Sequence, residues 1–171
     1  MPYEGEFITK NINDTWAMLK EDLVFISRWF SKEFKTKAGF VTDFASVPRL
    51  PIIYMLLGGR GKRPAATHDD NYAKQEIPKR QCDLVFFEGL LDTYVLDAWK
   101  CFVKEEVWWK EWRWFGVVVW RFFLSFLMYF PGVVFFGWPT WLKYKYRRRK
   151  GLPLRPEAPD VYDDRWEDRV F

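Results

Sequence analysis

Nothing constrains this chain more than the run from Phe122 to Leu142, 21 consecutive residues without a charged side chain. Roughly 20 apolar residues in helical form match the hydrocarbon core of a bilayer. Six cations follow at once, in Lys143-Tyr144-Lys145-Tyr146-Arg147-Arg148-Arg149-Lys150. Pro131, Gly132, Gly137 and Pro139 interrupt the run, and proline removes a helical hydrogen-bond donor. Three placements stay open. One is a membrane span whose basic flank stays on the cytoplasmic side. Another is an interfacial or re-entrant anchor, and the last is burial against the domain or a partner protein surface. Eight of the eleven tryptophans lie between Trp99 and Trp141, so the aromatic bias belongs to this part of the chain.

The rest of the 171 residues can bury a core of its own. Short apolar runs around Leu23, Phe25 and Phe34-Lys35-Thr36, broken by Ser27, Arg28, Ser31 and Lys32, predict strands of a small antiparallel sheet. Gly39 marks a turn, and residues 40–61 are rich in proline and glycine. Pro64 and Pro78 are each suited to the first residue of a helix, where the missing N–H has no partner to lose. They predict an α-helical hairpin, with the first helix reaching about Glu76. The expected fold is α+β: a small N-terminal antiparallel sheet packed on the helical hairpin, with a C-terminal aromatic apolar helix. The expected organisation is a core over 1–106, an aromatic helical segment with its basic flank over 107–150, and an extended tail over 151–171.

A net charge of +4 is too mild to imply nucleic acid, and the cations sit beside an apolar run rather than among spaced stacking aromatics. Nucleic acid is therefore not expected as a partner. Cys82 and Cys101 lack metal spacing and are expected to be reduced thiols. Met1 to Lys10 has no basic run followed by an apolar core, so no cleavable signal peptide is expected.

His68 is the single histidine. On a helix, His68 and Tyr72 lie one turn apart and face the same way. A turn centred near Glu76 and Ile77 places His68 about eight residues before it and Asp83 six or seven after, a height difference of about 3 Å at ~1.5 Å per residue. The two side chains are thus expected to meet across the hairpin. A histidine held by a carboxylate is a general base with its tautomer set. Asp69 could bind a hard cation such as calcium, with carbonyls of the Gly58-Gly59-Arg60-Gly61 loop. The alternative is a buried His–Asp hydrogen bond that stiffens the hairpin. Arg80, Asp83, Phe87 and Leu90 are spaced to share one helix face. Ser46, His68 and Asp83 contain the residue types of a nucleophilic triad, but Ser46 lacks the glycine elbow that exposes such a serine. The simpler reading is a turn in which Asp43 and Ser46 cap backbone donors before Pro48.

Thr42-Asp43-Phe44-Ala45-Ser46-Val47-Pro48-Arg49, then His68-Asp69-x-x-Tyr72, then Arg80-x-x-Asp83-x-x-Phe86, resembles a family of small proteins of unassigned function encoded by tailed phages and prophages. That resemblance implies a viral or prophage origin, with residence in the host cytoplasm, at its inner membrane, or in the virion beside virion proteins. It implies no activity. His68-Asp69-x-x-Tyr72 with Cys82-Asp83 is also similar to the two-helix core of secreted phospholipases A2. This second resemblance implies His68 as the base, Asp69 as a calcium ligand, Tyr72 as a support and Asp83 as the orienting carboxylate. The chain departs from that family in lacking its disulfides, and its glycine loop is shorter and closer to the histidine. The expected function is a membrane-associated, phage-encoded hydrolase in which His68 and Asp83 activate water against a lipid ester. The rival is a non-catalytic virion or membrane-interaction protein in which the same residues hold the fold.

Overall fold

The computed structural model describes residues 3–4, 7–11, 17–42, 61–96, 99, 103 and 108–152. Among the described residues six short strands come first: β1 Tyr3–Glu4, β2 Thr9–Asn11, β3 Ala17–Leu19, β4 Leu23–Ser27, β5 Lys32–Thr36 and β6 Val41–Thr42. Four helices of the described residues follow: α1 Lys62–Lys74, α2 Lys79–Leu90, α3 Trp108–Leu127 and α4 Gly137–Arg149. Two π-helical segments extend α2 over Leu91–Val95 and join α3 to α4 over Met128–Phe135. The protein is α+β, with its strands gathered at the N-terminal end.

The strands form two antiparallel sheets of three rather than one, in the orders β1-β4-β5 and β2-β3-β6. Chain geometry explains the split. Only Lys20 to Asp22 separate β3 from β4, and β3 is already flanked by β2 and β6. The turn at Gly39, with a φ of +83°, returns the chain to β3, where the Gly39 N–H donates to Leu19 O at 2.8 Å. Glycine bears this positive φ without steric cost. In β4, Leu23, Phe25 and Ser27 point inward and alternate with more exposed neighbours, as a half-buried strand requires. Phe25 lies opposite Phe34 of β5, and both join Tyr3, Leu19, Leu23, Ala66 and Val85 in one core. A second core of Ala65, Phe86, Leu90, Leu124 and Val133 packs α3 and the second π-helical segment onto the hairpin.

Pro64 sits in the first turn of α1, two residues later than the first position. Pro78 precedes α2 as its cap residue, and its carbonyl accepts from the N–H groups of Gln81 and Cys82. Between them Gln75 takes a left-handed φ of 50° and closes α1, its N–H donating to Asn71 O at 2.9 Å. From Pro64 to Ala73 every residue of α1 is buried, including Thr67, His68, Asp69, Asp70 and Asn71. A helix surrounded on all sides must find partners for its polar side chains inside the protein.

No helix among the described residues is long and apolar enough to cross a membrane. The uncharged run is divided: its first residues end α3, residues 128–135 are π-helical, and α4 begins at Gly137. Proline inside a helical pattern disrupts the ladder of backbone hydrogen bonds, and Pro131 lies within the π-helical stretch.

Glu88 of α2 ties the helices to the sheet. Its carboxylate is buried and accepts from Ser27 Oγ at 2.5 Å, the Arg28 N–H at 2.7 Å and the Trp29 N–H at 3.2 Å. These bonds hold the turn between β4 and β5, where Ser31 carries a φ of 47°. Glu88→Ala should therefore lower the unfolding free energy by roughly 2–4 kcal/mol in urea denaturation, since buried donors lose a charged acceptor. Glu88→Gln, which keeps one acceptor oxygen, should cost less.

Candidate functional site

His68 and Asp83 meet across the hairpin, with His68 Nε2 3.2 Å from Asp83 Oδ1. The same oxygen accepts from the Tyr72 hydroxyl at 2.5 Å. Lys79 Nζ donates to the other oxygen, Oδ2, at 2.6 Å. His68, Tyr72 and Asp83 are 1%, 0% and 3% exposed, so none of these bonds competes with bulk water. The His68 ring lies 4.0 Å from the Tyr72 ring and 5.0 Å from the Phe86 ring, centroid to centroid. Burial first, and then the neighbouring Asp83 charge, raise the Tyr72 hydroxyl above its ordinary range, so it stays a donor.

This geometry assigns the two ring nitrogens. An ionised carboxylate only accepts, so Nε2 must carry the hydrogen that faces Asp83. In the neutral ring Nδ1 then holds the lone pair. Nδ1 is buried and has no hydrogen-bond partner among the described residues. A buried nitrogen without a partner is costly unless something occupies that position.

Lys79 was not evident in the sequence as part of the site. Arg80, expected on the inward face with Asp83, is exposed, and Lys79 is buried in its place. The seam of α2 that faces inward runs Lys79, Asp83, Phe86, Leu90, and Phe87 lies half-buried beside it. The interior meets the flank of Asp83 that carries Lys79 and Phe86 rather than the flank that carries Arg80 and Phe87. Lys79 is kept inside by more than Asp83: it donates to Val133 O at 3.0 Å and lies 5.2 Å from the centre of the Trp138 ring. The spacing of Lys79 and Asp83, four residues apart, was the only available signal, and such pairs usually lie on solvated faces.

The C-terminal segment packs directly on the site. A Cβ on Gly137 would stand 2.6 Å from the Tyr72 hydroxyl, so only glycine allows α4 to start there. Trp141 meets the Tyr72 ring edge-on at 5.1 Å, and its carbonyl accepts from Gln75 Nε2 at 3.0 Å.

Asp69 points elsewhere. It is buried and accepts from Thr42 Oγ1 at 2.5 Å, which joins α1 to the end of β6. Asp70 pairs with Lys74 at 2.6 Å. Among the described residues no group of three or more His, Cys, Asp or Glu side chains could hold a metal ion. Calcium takes six to eight oxygen ligands, often several of them carboxylates. The loop carbonyls expected beside Asp69 belong largely to residues outside those described. Asp43, Ser46 and the loop Gly58 to Arg60 lie outside the described residues.

The fold and this geometry define the class: an α+β protein with a buried His–Asp pair across an antiparallel helical hairpin. The chain belongs to the family described as Protein of unknown function (DUF1353), whose model matches residues 17–104. The matched region runs from β3 past α2 and contains His68, Tyr72, Lys79 and Asp83, but not α3 or α4. No curated protein and no solved structure matches the chain.

Two outcomes follow. Lys79→Met leaves the Asp83 charge buried without its cation and should cost about 3–5 kcal/mol in chemical denaturation. Adding Asp83→Leu should restore part of the loss, while exposed Arg80→Met should change stability by no more than about 0.5 kcal/mol. Cys82 is fully buried, and burial, followed by the Asp83 charge, pushes its thiol up to about 12. In peptide-resolved alkylation at mild alkaline pH, Cys82 should stay unmodified until denaturant is added.

Proposed function

We propose that this chain is a membrane-associated hydrolase in which His68 activates water against a lipid ester. One observation carries the reading: Nε2 is held by Asp83, and Nδ1 is left buried and unpartnered among the described residues. That is the arrangement a general base needs, since the carboxylate orients the ring and stabilises the imidazolium that forms. In this reading Nδ1 takes a proton from water as the water oxygen bonds to the ester carbonyl carbon. The C–O bond to the alcohol then breaks, and the proton passes from Nδ1 to the departing alkoxide. Tyr72 and Lys79 hold the Asp83 carboxylate in place through bonds of 2.5 and 2.6 Å. No step runs through calcium. The phage or prophage origin implied by the Thr42–Arg49 motif belongs to the same proposal.

The exposure of His68, 1%, favours a second reading. A substrate reaches Nδ1 only if a covering segment moves. Without such movement the pair is a structural latch, and the protein is a non-catalytic virion or membrane-interaction component.

Fatty-acid release from phospholipid vesicles by the purified full chain separates the two. Catalysis predicts that His68→Ala, with wild-type circular dichroism and melting, lowers release by about 10²–10⁴-fold. Asp83→Asn should lower it as well. Release that persists in a calcium chelator would place Asp69 in a structural role, as its bond to Thr42 leads one to expect. A wild-type chain with no release on any vesicle, together with a His68→Ala variant that fails to fold, would leave the latch reading in possession.

A further inference from the structure

The last two helices leave large apolar side chains in solvent. On α3, Phe115, Val119, Phe122 and Phe126 follow one another at three- or four-residue spacing and are 44–51% exposed. That spacing makes one stripe along one face. On α4 the stripe of Trp138, Leu142 and Tyr146 is 51–58% exposed. Side chains of this size normally enter the core, and an exposed apolar stripe marks a surface that docks onto something.

Charge indicates the occupant. Between Glu111 and Glu157 the chain contains nine lysine and arginine residues and no acidic residue. The remainder holds 18 cations against 23 acids and is net negative, so the modest total of +4 conceals a strongly divided molecule. Lys143, Lys145, Arg149 and Lys150 of this segment are exposed, beside the apolar stripe of α4. Aromatic and apolar side chains next to cations, on helices not long and apolar enough to cross a membrane, suit an anionic bilayer surface. Tryptophan adds to this fit, because its ring prefers the headgroup region.

We infer that α3 and α4 form a docking surface for an anionic lipid bilayer, lying on the bilayer with their apolar stripes turned into it. The inference deepens the membrane half of the proposed function and does not need the hydrolytic half. A chain that binds vesicles and releases no fatty acid keeps it.

The test uses the full chain with phosphatidylcholine vesicles, with and without phosphatidylglycerol, read by flotation and by tryptophan emission. Binding should require phosphatidylglycerol, shift the emission to the blue and weaken with added salt. Lys143→Glu with Lys145→Glu should lower the partition coefficient about tenfold or more. Phe122→Asp with Phe126→Asp should abolish the blue shift while circular dichroism and melting stay unchanged, since both side chains are half-exposed. Absence of binding to anionic vesicles at low salt overturns the inference. So does resistance to carbonate extraction, which would mean a span. It is equally overturned if ultracentrifugation shows a stable oligomer that the phenylalanine substitutions dissociate while vesicle binding is untouched.

Discussion

The carboxylate of Asp83 is the point on which the structure turns. A charge moved from water into the interior costs several kcal/mol even after relaxation, unless it is paired and fully hydrogen-bonded. Asp83 meets that condition with three partners from two helices: His68 and Tyr72 on α1 and Lys79 on α2. The helical hairpin is therefore locked in register by polar contacts at its centre, and its apolar cores lie to either side. Lys79 carries the lock outward by donating to the carbonyl of Val133, so the C-terminal segment is held by the same charge pair.

A second buried carboxylate does a parallel job toward the sheet. Glu88 lies five positions beyond Asp83 on α2 and gathers three donors from the β4–β5 turn. One helix thus presents one acid to its partner helix and another to the strands. Arg28 adds an ion pair with Asp92 just beyond. Two short sheets, neither with more than three strands, would be marginal alone. The first is fastened to α2 at these points and packed against Ala66 and Val85, and the second is tied to α1 by the Thr42–Asp69 bond.

The meeting of His68 and Asp83 was legible because both follow from local signals: two prolines, a turn between them and the fixed rise of a helix. The inward position of Lys79 was not legible. Its burial depends on the carbonyl of Val133, 54 residues away, and on the Trp138 ring. Arg80 shares a face with Asp83 by spacing, but spacing does not say which flank of Asp83 meets the interior, and the buried flank carries Lys79. The roles of Glu88 and Asp92 were hidden for the same reason, since their partners lie about 60 residues earlier. The long uncharged run showed the reverse problem. Its length suggested a bilayer span, while its prolines and glycines set the local break that leaves two helices instead.

From its sequence alone the chain determines its α+β class, the strands around Phe25 and Phe34, the hairpin bounded by Pro64 and Pro78, and the encounter of an imidazole with an acid. Those features depend on backbone preferences and on periodicity over a few residues. Tertiary structure decided which nitrogen of His68 is held, which cation neutralises Asp83, and that α4 begins against Tyr72. Each of those depends on groups far apart in the chain competing for one dry volume, where burial makes every unpaired charge or donor expensive. No short-range pattern records that competition.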